Sequence, residues 1–443
     1  MAQGYRPSDP GLVQSPAPLD RSYRALLKVP AIVPLLLGMQ IARIGQSMVS
    51  VTIVLFTLAS YRSPTLAGLA TFFAIFPGLV VSPIAGALLE RHGRVRLVVL
   101  DYLVALGSLT LMGILALTGA LPAWLLMVIA AIASLTTPLS ATGLRSLFPI
   151  IVPSHLWERV NAIDSTGYVI ASIVGPPVAA GLVALRGGAV AFIIVGLSFG
   201  LAAIVIARAP DPPAQSPVTG PLLIEAWQGL VYTWKNPTLR GLGFSISLVN
   251  LAGGTFTIVV PLLILERFHL NETVVGLVFA VQGLTGVISA IVCGRIDSRN
   301  RERIMLAVPM IASAVTIAVL LLESNIVVLV LVMGLTGFLN GPLDVALFTL
   351  RQRRTDPAWT GRAFAVSMSF NYLGIPVGSA LAGIIAARSI EWAVAFGAVA
   401  CLVSGVVAVA RICISIWSMI LSRCHRCTYP SGNLAWRCLS PSR

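Results

Sequence analysis

Charge is what this sequence has least of. Only 10% of its 443 residues are Asp, Glu, Lys or Arg, against about 25% in a typical soluble domain. With 57% apolar residues and a mean hydropathy of +0.92, the chain cannot clothe two or three globular cores in polar side chains. Histidine is scarcer still. His92, His155, His269 and His425 fall in loops or the tail, which leaves no imidazole cluster within the apolar runs, and no P-loop lysine is there for nucleotide hydrolysis. Neither an enzyme nor a cofactor or metal is expected. Cys293 and Cys401 stand alone before the tail, where Cys413, Cys424, Cys427 and Cys438 crowd together, so no disulfide framework spans the chain. No cleavable signal is legible: Met1 to Val29 is polar and Pro-rich, and the first apolar run is too long and lacks a small-residue cleavage site.

Long apolar runs are what the chain has instead. A membrane-crossing helix needs roughly 20 apolar residues, and runs bounded by charges and turn formers place helices near 31–59, 65–89, 97–118, 122–144, 162–185, 189–207, 242–265, 273–294, 304–322, 326–350, 362–387 and 391–411. The expected fold is an all-α membrane protein of twelve transmembrane helices in two six-helix bundles. The division is an N-terminal tail 1–29, a bundle 30–208, a linker 209–240, a second bundle 241–411 and a Cys-containing tail 412–443. Within the linker Leu223, Trp227, Leu230 and Trp234 recur at helical spacing, with Glu225, Gln228 and Lys235 between them. That pattern fits an amphipathic helix on the membrane surface or a short cap packed against loops.

The net charge of +14 arrives as short basic knots between apolar runs, not as one polar face, so nucleic acid is not an expected partner. The knots encode orientation. With the N-terminus cytoplasmic, 25 of the 30 basic residues fall in inside segments; Arg62, Arg186, Arg267 and Arg388 fall outside, and Arg43 lies within a span. Arg and Lys resist translocation and stay beside the anionic leaflet. Both termini are therefore expected to be cytoplasmic, in a bacterial inner membrane.

The halves echo each other. After the second helix stand Gly86-Ala87-Leu88-Leu89-Glu90-Arg91-His92-Gly93-Arg94-Val95-Arg96, and after the eighth Cys293-Gly294-Arg295-Ile296-Asp297-Ser298-Arg299. These stretches resemble the loop motif of the major facilitator superfamily, with Glu90 in place of its usual Asp and Cys293 at its small-residue position. Pro138 to Gly181, with Arg145-Ser146-Leu147-Phe148-Pro149 and Glu158-Arg159-Val160-Asn161-Ala162, and Gly341-Pro342-Leu343 with Thr349-Leu350-Arg351-Gln352-Arg353-Arg354, are similar to its enterobactin-exporter-like and macrolide-efflux-like branch. The resemblance implies Gly86, Glu90, Arg91, Gly93, Arg94, Asp297 and Arg299 as a gating loop, in which an acid meets the positive end of a neighbouring helix. It also implies proton coupling.

Candidate transport residues follow from depth. Arg43 lies some 12 residues into the first span, about 18 Å deep at ~1.5 Å per residue, where a charge faces a wet cavity, binds an anion or a coupling carboxylate, or packs on backbone carbonyls. Asp344 is the candidate proton carrier, because an acid taken out of water favours its uncharged form; pairing with Arg351 is the alternative. Asp101 and Asp164 sit near the cytoplasmic edge and read as pairing or capping groups. Gln46, Asn250, Gln282, Asn340 and Asn371 are sparse polar groups in apolar surroundings, which suits a lipophilic or amphiphilic small molecule better than a sugar. Gly175, Pro176 and Pro177, with Gly374 and Pro376, are expected bending points or close-packing positions.

The function expected is export of drug-, macrolide- or siderophore-like compounds by a monomeric proton antiporter. Uptake on the same scaffold and a non-transporting membrane receptor are the alternatives. In the tail, Cys424 and Cys427 have the spacing of half a zinc knuckle, with His425 and Cys438 as further ligands; an unstructured extension is the other reading.

Overall fold

Helix starts fall where local chemistry favours them. Ser63 accepts a hydrogen bond from the Leu66 amide and is followed by Pro64 at the first helical position; Asn236 caps Thr238 and Leu239 ahead of Pro237; Asn325 caps Val328. The computed structural model describes residues 20, 22–211, 222–293, 301–322, 325–355 and 360–425. Its helices are α1 (Tyr23–Leu27), α2 (Ile32–Tyr61), α3 (Pro64–His92), α4 (Arg94–Leu117), α5 (Ala123–Ile151), α6 (Trp157–Ile206), α7 (Leu222–Lys235), α8 (Pro237–Leu262), α9 (Glu272–Cys293), α10 (Glu302–Leu322), α11 (Ile326–Arg354), α12 (Thr360–Tyr372), α13 (Gly374–Ala386) and α14 (Ile390–His425). No strand occurs among the described residues.

Eleven segments are long and apolar enough to cross a membrane. One of them, Ser154–Ile206, has 53 residues, or about 80 Å at ~1.5 Å per residue, more than twice a ~30 Å hydrocarbon layer. It reverses at Gly187, whose φ of 79° and ψ of 160° are open to glycine and not to other residues. α6 thus holds two crossings and the total is twelve. α12 and α13 form one crossing interrupted at Leu373. The last helix does not stop at the expected boundary near 411 but continues to His425, since Ile412 to Leu421 holds no Gly or Pro to end it.

α2 and α4 pack on α6, and α3 packs on α5, forming one bundle; α8 with α13 and α14, α9 with α11 and α10 with α14 form the other. Lipid tails are as apolar as leucine, so close fit and small residues hold these helices together more than burial from water does. The bundles meet through α3 against α13 and α6 against α9. These contacts are tightest at the end of the molecule away from both chain termini. Thr65 Oγ1, one residue into α3, donates to the Gly383 carbonyl at 3.3 Å. A methyl on Gly68 would overlap the Ser379 carbonyl, and one on Gly276 would overlap the Pro177 backbone. Outward-facing side chains such as Ile132, Leu197, Ile204, Val315 and Val406 form an exposed apolar girdle. Trp124 and Trp392 rim it at one end, with Trp157, Trp227 and Trp234 at the other, as aromatic belts do at membrane interfaces.

Candidate functional site

Three crossings converge on Asp164. α2 supplies Arg43, α5 supplies Arg145, and α6 supplies both Asp164 and, one turn on, Tyr168. Arg43 Nη2 pairs with Asp164 Oδ1 while its Nη1 donates to the Asp164 backbone carbonyl at 2.9 Å; Arg145 Nε donates to Oδ2 at 2.9 Å. The Tyr168 ring packs against both cations, its centroid 3.9 Å from Arg43 Cζ and 4.5 Å from Arg145 Cζ, a cation–π arrangement that orients the two guanidinium planes. Gln40 Nε2 closes the lower side by donating to the Gly167 carbonyl at 3.1 Å. The Arg43 and Asp164 side chains are 12% and 6% exposed, whereas that of Arg145 is 48% exposed. The buried pair is thus internal, and Arg145 reaches past it into open space.

That space is a cavity of about 130 Å³ beside the cluster, lined by Arg43, Gln46, Ser47, Thr137, Ser140, Arg145 and Tyr168 on its polar side and by Met39, Leu144 and Phe199 on its apolar side. Asp101 is buried just behind it in α4, its carboxylate turned toward the hydroxyls of Ser140 and Thr136, and among the described residues it has no arginine partner. It is a buried acid two turns into its helix, not the edge group expected from its sequence position.

The second bundle presents a different set. Arg351 is 1% exposed and donates through Nη1 to Met368 Sδ at 3.1 Å and through Nη2 to the Asn371 amide oxygen at 2.5 Å; the Asn371 amide nitrogen donates to the Ser367 carbonyl at 3.1 Å. Asn250 Nδ2 donates to the Asn371 backbone carbonyl at 2.8 Å, tying α8 to α12 just before the interruption at Leu373. Asp344 and Tyr372 are exposed although they belong to packed crossings. Tyr372 lies within electrostatic reach of Asp344 and Arg351 in its own bundle and of Arg145 and Tyr168 in the other. It therefore marks where the two polar sets face each other across a cleft.

The sequence candidates distribute unevenly over this geometry. Arg43 and Gln46 line the cavity, and Asp344 opens on the cleft. Asn250 and Asn371 join each other, while Asn340 is exposed on α11. Gln282 contributes its backbone, which accepts from Thr285 Oγ1 at 3.0 Å and meets Gly337 where α9 crosses α11. Gly175 packs against Ser47, and the backbone stays helical through Pro176 and Pro177, which form the surface Gly276 rests on. Gly374 opens α13, with Pro376 in its first turn. Of the loop motif, Gly86, Glu90 and Arg91 occupy the last turns of α3 and their side chains lie outside the described residues, as do Asp297, Arg299, Cys427 and Cys438 altogether; the side chains of Cys424 and His425 do too. At the start of α4 it is Asp211, from the linker, that accepts from the Arg94 amide at 3.0 Å and the Arg96 amide at 3.2 Å, beside Gly93 at φ 92°.

Twelve crossings in two bundles with a polar cleft between them are the architecture of a membrane transport protein. Residues 35–253 and 242–414 match the family described as Major Facilitator Superfamily, and the chain belongs to that superfamily. An uncharacterised MFS-type transporter of Sinorhizobium fredii is 35% identical over 372 residues, covering 84% of this chain and 92% of the relative. Macrolide efflux protein A of Streptococcus pyogenes is 23% identical, covering 79% and 88%, and the multidrug efflux pump Tap of Mycolicibacterium fortuitum is 26% identical, covering 72% and 80%. Among solved structures, a bacterial homologue of the iron transporter ferroportin in its inward-facing state superposes with a TM-score of 0.65 at 16% identity, covering 86% of this chain and 98% of that one.

Proposed function

We propose that the chain is a secondary exporter of small amphiphilic molecules that works by alternating access, as a monomer in a bacterial inner membrane with both termini cytoplasmic. The observation that carries this reading is the cleft itself: a polar cluster on Arg43, Asp164, Arg145 and Tyr168 beside apolar walls, facing Asp344 and Tyr372 of the other bundle. Sparse polar groups in an apolar setting suit an amphiphile. The basic-residue asymmetry assigns the arginine-rich end to the cytoplasm. The bundles are pinned together at the opposite end, by Thr65 with Gly383 and by Gly276 with Pro177, which supports reading this conformation as inward-open. Residues 30–208 and 241–411 then move as two bodies joined by the linker 209–240. The two efflux relatives support outward transport of drug-like compounds, and proton entry through Asp344 supplies the driving force.

Inverted membrane vesicles energised by a pH gradient should accumulate amphiphilic drug or dye substrates, and Asp344→Asn should abolish gradient-driven accumulation while leaving exchange of substrate for substrate intact. Accumulation by whole cells instead of vesicles would favour uptake, and absence of flux from reconstituted liposomes would favour a receptor.

A further inference from the structure

The charges of the Asp164 cluster are not evenly spent. Both carboxylate oxygens are taken, Oδ1 by Arg43 and Oδ2 by Arg145 Nε, and the side chain is 6% exposed. The cavity lining holds two arginines and no acid, because Asp101 stands behind it with its carboxylate turned to the hydroxyls of Ser140 and Thr136. Arg145 is in the opposite condition. It gives only its Nε to Asp164 among the described residues, which leaves its two terminal amino groups, four N–H donors in a planar fork, uncommitted on a side chain that lines the cavity and is 48% exposed. One carboxylate between two guanidinium groups leaves the lining of the cavity cationic, with Asp101 set behind it on its own hydroxyl partners.

From this we infer that the cavity is a subsite for an organic anion: a carboxylate, sulfonate or phosphate group carried by an apolar body. This rests on the transport reading above and adds the charge class of what the cleft accepts. The anionic oxygens would take the terminal N–H groups of Arg145 two at a time, the geometry that makes guanidinium the preferred partner of planar oxyanions. The Tyr168 ring already stacked on that guanidinium fixes its plane, and the Gln46 amide of α2, in the cavity lining, offers further donors. The apolar body would lie against Met39, Leu144 and Phe199. The cluster is built to hold this arrangement when empty, because Arg43 keeps Asp164 in place from below through a bond to its backbone as well as its side chain.

The test is equilibrium binding to the full-length protein in neutral detergent, with 1-naphthalenesulfonate, tetraphenylphosphonium and inorganic phosphate as probes. Saturable naphthalenesulfonate binding, at least tenfold tighter than tetraphenylphosphonium, weakened tenfold or more by Arg145→Gln and partly restored by Arg145→Lys, is the expected result. Equal or tighter binding of tetraphenylphosphonium to the unmodified protein would overturn the assignment without any variant, as would naphthalenesulfonate binding unchanged in Arg145→Gln. Repeating the titration in bilayer discs separates two sources of the anion. If phosphatidylglycerol, but not phosphatidylcholine, competes with the probe through Arg145, the natural occupant is an anionic lipid headgroup; if neither competes, it is a soluble organic anion. Binding in detergent does not depend on direction or driving force, so failure of the vesicle experiment with this binding intact would sink the export reading alone.

Discussion

Replacing Asp164 by Leu should be among the most damaging single changes within the first bundle, and the structure sets its size. Arg43 is 12% exposed and its guanidinium is held by the Asp164 side chain and backbone; removing the acid strands a buried cation, which costs about 3–5 kcal/mol. The Arg145 arm of the same cluster is 48% exposed, so solvent and salt screen it and its loss alone is worth under about 1 kcal/mol. At roughly 2 °C per kcal/mol, the low end for longer chains, Asp164→Leu should lower the melting temperature in detergent by about 6–10 °C, and Arg145→Gln by about 2 °C or less. The double variant Arg43→Met with Asp164→Leu should recover more than half of the loss, because an apolar pair leaves no stranded charge. Fluorescence-detected melting with size-exclusion profiles measures all three. If the double variant melts no higher than Asp164→Leu, or if Asp164→Leu melts like the unmodified protein, the buried-pair account is wrong.

Three further outcomes are expected. Gly68→Leu pushes a side chain into the Ser379 carbonyl and should favour opening of that end, seen as several-fold slower modification of Tyr168→Cys by a membrane-impermeant thiol reagent applied from the arginine-rich side; unchanged labelling would refute the tight contact. Asp211→Ala removes the acceptor for the first amides of α4 and should cost about 1 kcal/mol, the usual worth of a cap, while Gly93→Ala should cost more, because it combines a positive φ with overlap against the Asp211 carboxylate; a melting series ranks the two. Cysteines placed at Arg94 and Arg301 should be labelled from the same side of the membrane, and labelling from opposite faces would break the orientation.

Helix number and identity were legible because each crossing must satisfy its own backbone in lipid, which forces long uninterrupted apolar runs. The site was harder to read, for one recurrent reason. Ending helices at their first charge placed Arg145 just past a helix predicted over 122–144, Arg351 just past one over 326–350, and Asp164 at the very start of one over 162–185. In the structure α5 runs to Ile151, α11 to Arg354, and α6 begins at Trp157, which carries all three charges into the bundle. The stretch Arg145-Ser146-Leu147-Phe148-Pro149 displays Arg145, but nothing in the sequence joins it, or Arg43, to Asp164: the three lie on separate helices and meet only in the folded bundle. Tyr168 and Asp211 carried no comparable signal: a tyrosine among apolar residues and an acid between prolines are ordinary in either location. The length of α14 was missed because its charges at Arg411 and Arg423 mimic a membrane edge.

The strand of chain between the bundles is fastened at both of its described ends, to different bodies. Asp211 is bonded to the first turn of α4. On the other side, Trp234 packs on Phe244 and Phe370 and Asn236 Nδ2 donates to the Arg354 carbonyl at 3.0 Å. The two described ends of the linker are therefore secured to opposite bundles, through α4 on one side and through α11 and α8 on the other. Each fastening can be cut without the other: losing the Asp211 carboxylate frees the first amides of α4, whereas losing the Asn236 amide frees the last carbonyl of α11.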